Sequence, residues 1–245
     1  MANWSDPWTT TAGPTGVGQR GAAYDAGLRS YMLSVYNYMA SGVLLTGVVA
    51  LLFANSPYMA MLFPAGRPSL LGYAVMLAPL GVVMWLSFGI NRISETTAEA
   101  LFWAYAVLMG LSLSTVFLAY TGASVAQTFF ASAAAFGGLS LWGYTTKRDL
   151  SGFGSFLIMG VVGIFVAMLV NMFLRSSALD LAISVMGVLL FAGLTAYDTQ
   201  RIKSMYFAVQ GSSFAGKSVI MGALQLYLDF INMFMFLLRF MGDRR

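Results

Sequence analysis

Acid is scarce in this chain. Nine Asp and Glu stand among 245 residues, with no histidine and no cysteine. Asp6 and Asp25 lie in the polar N-terminal stretch, Glu95 and Glu99 flank an apolar run, Asp149 and Asp180 sit at loop edges, and Asp243 is near the end. Asp198 and Asp229 remain, and both fall inside apolar runs. A carboxylate at the centre of a membrane helix costs roughly 2.5–3.5 kcal/mol on insertion scales, so each is a functional candidate. If the two runs are consecutive antiparallel helices, Asp198 lies about 12 Å and Asp229 about 15 Å from the shared end, at 1.5 Å per residue. At matched depth they could face each other. Two facing carboxylates in a poorly solvated site cannot both ionise cheaply, which gives a proton-sensitive element without histidine. Fully ionised, the pair could attract a cation. With Thr199, carbonyls and water it would make a weak, transient calcium site, short of the six to eight oxygens of a tight one.

The neighbours of the two acids supply alternatives. Arg201, three residues beyond Asp198 on the same helical face, could neutralise it as an ordinary ion pair. Asp229 could serve as a structural hydrogen-bonding group. Arg92 ends an earlier apolar run and could pair with Asp198 from the same side of the membrane; the plainer reading is a positive-inside loop residue. Asn171 and Asn232 could bond across helices.

The elements that position these groups follow from composition. Apolar residues make up 59% and charged residues 9%, and mean hydropathy is +0.77. A soluble domain carries roughly 25% charged residues, so the chain is an all-α integral membrane protein. Seven apolar segments cover 31–54, 70–90, 98–120, 125–144, 153–173, 181–202 and 219–241. Each can cross a hydrocarbon core of about 30 Å. The fourth carries Ala131, Ser132, Ala133, Ala134, Ala135, Gly137 and Gly138. Small residues let backbones approach, which predicts a helix buried in the bundle. Residues 1–29 are polar and read as a mobile tail, with Trp4 and Trp8 available to an interface; residues 30–245 form the transmembrane domain.

Charge sets orientation. With the N-terminus inside, the inner side holds Arg20, Arg29, Arg92, Lys147, Arg148, Arg201, Lys203 and Lys217, and the outer side holds Arg67, Arg175, Arg239, Arg244 and Arg245. That excess favours N-inside. The basic C-terminal end is the conflict, because a re-entrant last segment would return it to the inner side. The net charge of +4 reads as cationic loops facing anionic lipid, not as nucleic-acid binding. Absence of His and Cys excludes His-based zinc sites, Ser-His-Asp triads and thiol chemistry. No phosphate loop, dinucleotide fingerprint or nucleophile–base pair is present, so no enzyme and no cofactor are expected.

The stretches Ala196-Tyr197-Asp198-Thr199-Gln200 and Leu226-Tyr227-Leu228-Asp229-Phe230-Ile231-Asn232 resemble the two signature helices of the Bax inhibitor-1 (transmembrane Bax-inhibitor-motif) family. Ala104-Tyr105-Ala106-Val107-Leu108-Met109-Gly110-Leu111-Ser112-Leu113-Ser114 resembles its third helix. The similarity covers about residues 25 to 242, and the features look bacterial. The resemblance implies a seven-helix fold with the last helix central and the first six around it, in a bacterial inner membrane. It implies a pH-sensitive calcium leak, with Asp198 and Asp229 as a di-aspartyl proton sensor and Arg92 matching the arginine that latches the first acid. Thr199, Arg201, Gln225 and Asn232 would support the pair. Gln225 stands where animal members often carry a second acid, and the second segment lacks the carboxylate of some bacterial members. Some bacterial relatives look instead like regulators of a membrane-bound ATP-dependent protease. For that reading the partner is a membrane protease or other complex, and the polar N-terminal stretch would engage it.

Overall fold

In the computed structural model, residues 17–64 and 67–244 are described. Trp4 and Trp8 lie outside them. Seven helices are long and apolar enough to cross a membrane. They are α1 (Val17–Ala54), α2 (Leu70–Gly89), α3 (Glu95–Leu113, continued by the turn Val116–Ala119), α4 (Gly122–Thr145), α5 (Gly154–Leu174), α6 (Ser177–Val209) and α7 (Ala215–Met241). A single turn, Met59–Leu62, interrupts the α1–α2 connection. The expected spans are all present. α1 is helical from Val17, ahead of its apolar run. α6 also outruns its apolar stretch, because the alternation of apolar and polar residues continues helically to Val209.

The helix starts follow from side-chain capping. Ser69, Ser94, Thr121 and Ser176 accept hydrogen bonds from backbone N–H groups of the first turns of α2, α3, α4 and α6, satisfying donors that a helix start leaves free. α5 ends on Arg175, whose φ of 51° is left-handed, and Asn171 Oδ1 accepts from the Ser176 amide to close that tight turn (3.0 Å). Asn171 is therefore a turn residue, not the cross-helix tie expected of it.

α7 is the centre. Two thirds of its apolar window is buried (67%), against 11% for α5 and 17% for α2. It packs against α1, α3, α4 and α6, while α2 leans chiefly on α3 and α5 on α6. Lipid tails are as apolar as leucine, so close packing and hydrogen bonds hold such a bundle. Around α7 the aromatic rings interlock edge to face: Tyr105 on Tyr227, Phe102 on Tyr227, and Phe129 and Phe136 on Phe230.

α4 corrects one expectation. Its small residues Ala131, Ala133, Ala134, Ala135, Gly137 and Gly138 are exposed on the outside of the bundle. The buried face carries Ser124, Thr128, Ser132, Phe136 and Ser140 at four-residue spacing, followed by Gly143. Ser124 and Ser140 face inward onto partners from other elements, the Asp243 amide and the Tyr36 and Thr199 hydroxyls; the alanines carry no polar group and can face lipid without loss. Gly143 is the point of tightest approach, where a Cβ would stand 2.4 Å from the Ala196 carbonyl oxygen of α6.

The C-terminal end settles the last crossing. The Thr121 amide donates to the Asp243 carbonyl (3.1 Å) and the Asp243 amide donates to Ser124 Oγ (2.9 Å). Arg239 is ion-paired with Asp180 in the first turn of α6, and Arg244 lies 3.6 Å from the same carboxylate. The chain therefore ends beside the α3–α4 and α5–α6 connections, opposite the α6–α7 connection, and α7 is a full crossing. Asp180 supplies counter-charge to two of the basic residues that conflicted with the orientation.

Candidate functional site

Asp198 and Asp229 meet at the middle of the bundle. At 1.5 Å per residue, Asp198 is about 16 Å and Asp229 about 21 Å from the α6–α7 connection. Helical side chains lean toward their own N-terminus. In antiparallel neighbours the lean carries Asp198 and Asp229 toward each other, closing the offset. Their carboxyl groups come within hydrogen-bonding reach, and each residue is nearly sealed, with 3% and 4% exposure. Asp229 Oδ2 is fully buried, and no N–H or O–H of the described residues donates to it. The group facing it is another carboxyl, which can donate only while it carries a proton. A buried acceptor left without a donor costs about 1–3 kcal/mol.

No cation closes on the pair. Among the described residues the ion pairs are those of Asp180 with Arg239 and Arg244. Arg201 acts on Asp198 across one turn, yet it points outward and is exposed. The simple Asp198–Arg201 ion pair is not formed. Arg92 is also exposed, lying beside Trp85 and Phe88 on the outer face of the bundle. The latch contact with Asp198 is not made in this conformation, because α2 packs on α3 rather than against the acid pair.

The supporting residues divide. Gln225, one turn before Asp229, lies next to Asp198 and interacts with its carboxyl. Thr199 is fully buried and joins a directed chain. Its hydroxyl donates to the Thr195 carbonyl (2.7 Å), so Ser140 must donate to Thr199 (2.9 Å), and Tyr36 in turn to Ser140 (2.5 Å). Each hydroxyl has one proton to give, which fixes the direction. The chain ties α1, α4 and α6 together beside Asp198. Asn232 donates to Leu228 of its own helix (2.8 Å) and makes no cross-helix tie to the pair.

The sequence reading missed other anchors. Tyr227 donates to Thr46 (2.7 Å), since the Thr46 hydroxyl is committed to the Ala106 carbonyl (2.8 Å). Tyr31 likewise meets Ser218 (2.6 Å), and Tyr38 donates to Glu99 (2.7 Å). Gln200 clamps the α4–α5 connection, its amide donating to the Arg148 carbonyl and its oxygen accepting from the Leu150 amide (2.8 Å each). Every one joins residues far apart in sequence, and spacing alone carries no trace of them. Asp180 with Arg239 was readable, because an antiparallel α6–α7 pair puts the first turn of one beside the last turn of the other.

Fold and site together define a helical multi-pass membrane protein built around a buried pair of acids on its last two helices. The chain belongs to the Bax inhibitor-1 family: it matches the family described as "Inhibitor of apoptosis-promoting Bax1" over residues 28–245. It is 46% identical over 246 residues to an uncharacterized protein of Rickettsia prowazekii, covering 100% of both chains. It is 48% identical over 222 residues to the inner membrane protein YbhL of Escherichia coli, covering 90% of this chain and 94% of the relative. An uncharacterized membrane protein of Streptococcus pyogenes is 36% identical over 218 residues, covering 89% and 94%. With seven apolar helices, the chain is a multi-pass inner-membrane protein.

Proposed function

We propose that the chain is a proton-gated calcium leak, not an enzyme, and that Asp198 and Asp229 are its gate. The observation that carries this reading is the donorless Oδ2 of Asp229, beside a second buried carboxyl and with no ion-paired cation among the described residues. With one proton shared, the carboxyls hydrogen-bond and α6 stays against α7. Once that proton leaves, two like charges face each other in a medium that solvates neither. They separate or recruit a cation, and calcium with its preference for carboxylate oxygen is the cation they suit. The site is poor in ligands, which fits transit and not storage. Arg92 enters the proposal as a group that reaches Asp198 in another conformation.

Calcium influx into liposomes carrying the full chain tests this, at pH 6 and pH 8. Influx above that of empty liposomes, larger at pH 8, is expected, and Asp229→Asn should abolish the pH difference. An Asp229→Asn protein with the wild-type pH response would refute the gate. No influx at either pH would refute the leak, and the protein would then be sought in complex with a membrane protease.

A further inference from the structure

α1 and α4 stand apart along the side of the bundle, and between them runs a seam open to lipid. In the inner half it forms a groove of about 570 Å³ lined by Arg29, Leu33, Tyr36, Ala40, Gly137 and Tyr144, among others. Gly137 has open space where a Cβ would be. The Tyr36–Ser140 hydrogen bond closes its floor. A second groove, of about 610 Å³, continues the seam through the outer half.

We propose that the inner groove is a binding site for one anionic phospholipid of the inner leaflet. From Arg29 to Ala40 the groove follows α1 for about 16 Å at 1.5 Å per residue, and half of a 30 Å hydrocarbon core is about 15 Å. The length is that of one leaflet's acyl chain. The charge that lines the groove among the described residues is cationic: Arg29, exposed at the inner end. Among the described residues no carboxylate lines the groove. The outer groove has no charged residue in its lining, so the preference for anionic lipid belongs to the inner one. The floor leads from Tyr36 through Ser140 to Thr199, so the lipid lies against the wall of the acid pair. The site itself does not depend on the leak proposed above.

The native chain has no cysteine, so a single cysteine can carry a fluorophore. Leu141→Cys labels the exposed rim of the groove, and Met159→Cys labels the outward face of α5 at similar depth. The full chain is reconstituted with increasing fractions of brominated phosphatidylglycerol or brominated phosphatidylcholine. Quenching at position 141 should show about fivefold preference for phosphatidylglycerol, the worth of one basic residue at an anionic surface. Position 159 should show no preference. Arg29→Gln should remove the preference at 141, and Gly137→Leu, which fills the groove from a position with room for it, should remove it with Arg29 intact. Equal quenching by both lipids at 141, or a preference that survives both substitutions, would overturn the proposal. So would quenching that tracks the protein-to-lipid ratio and not lipid type, which would put a second copy of the chain in the seam.

Discussion

Replacing Gly143 with alanine puts a methyl group where α6 already is. The new Cβ would stand 2.4 Å from the Ala196 carbonyl oxygen, 2.9 Å from its Cα and 3.0 Å from its carbonyl carbon. These are backbone atoms within a helix, so they cannot swing aside. Ordinary contact begins near 3.4 Å, and α4 must move off α6 by about 1 Å, a displacement that packed interiors resist. The Ser140–Thr199 hydrogen bond, now 2.9 Å, would lengthen to about 3.9 Å, beyond hydrogen-bonding range. Overpacking costs about 1–3 kcal/mol, and the lost hydrogen bond adds about 1 kcal/mol. Alanine returns about 0.5–1 kcal/mol over glycine within a helix. The net loss is about 1–3.5 kcal/mol, read by equilibrium unfolding in mixed micelles. Gly137→Ala on the same helix is the control, since nothing lies within 4 Å of its Cβ; it should be neutral or gain about 0.5–1 kcal/mol. Wild-type stability for Gly143→Ala, or an equal loss for Gly137→Ala, would refute the reasoning.

Asp180→Asn removes the acid shared by Arg239 and Arg244, whose side chains are partly exposed. It should cost about 1 kcal/mol or less in low salt and speed carboxypeptidase trimming of the C-terminal arginines; no change in trimming would show that the tie does not hold the end. Asp149, in the exposed α4–α5 connection, is held below the ordinary carboxylate range by the Ser151 hydroxyl and amide. The stabilisation is complete above the ordinary value and is lost as pH falls through the lower folded one. Asp149→Asn should therefore narrow its stability gap to wild type as pH drops from 7 to 3, and a gap that widens on acidification would reverse the assignment.

Hydropathy located all seven spans, apart from the start of α1 and the end of α6, to within a few residues, because the need to satisfy every backbone polar group in lipid leaves little choice but helices. The acid pair was legible for a related reason: a carboxylate in hydrocarbon is too costly to be incidental. What spacing missed was direction around the helix axis. The small residues of α4 looked like packing surface, whereas its hydroxyls take the buried face. Arg92 lies exposed beside Trp85 and Phe88, a placement spacing could not give, since a single sequence carries no record of which helices are neighbours. The α1 extension back to Val17 was hidden by a polar composition that says nothing against helix once the chain leaves the bilayer.

The helix at the centre of the bundle is synthesised after the six spans described around it. While the ribosome is still making α7, helices α1, α3, α4 and α6 stand in the membrane around a vacant axis. Asp198 then lacks its facing acid, and Thr46 and Tyr31 lack Tyr227 and Ser218. The arrival of α7 fills the axis, completes all three contacts and brings Arg239 to the Asp180 already waiting across the membrane. A chain cut short before Ala215 would display an unpaired carboxylic acid to lipid. The proposed gate is therefore assembled only when α7 docks into the bundle.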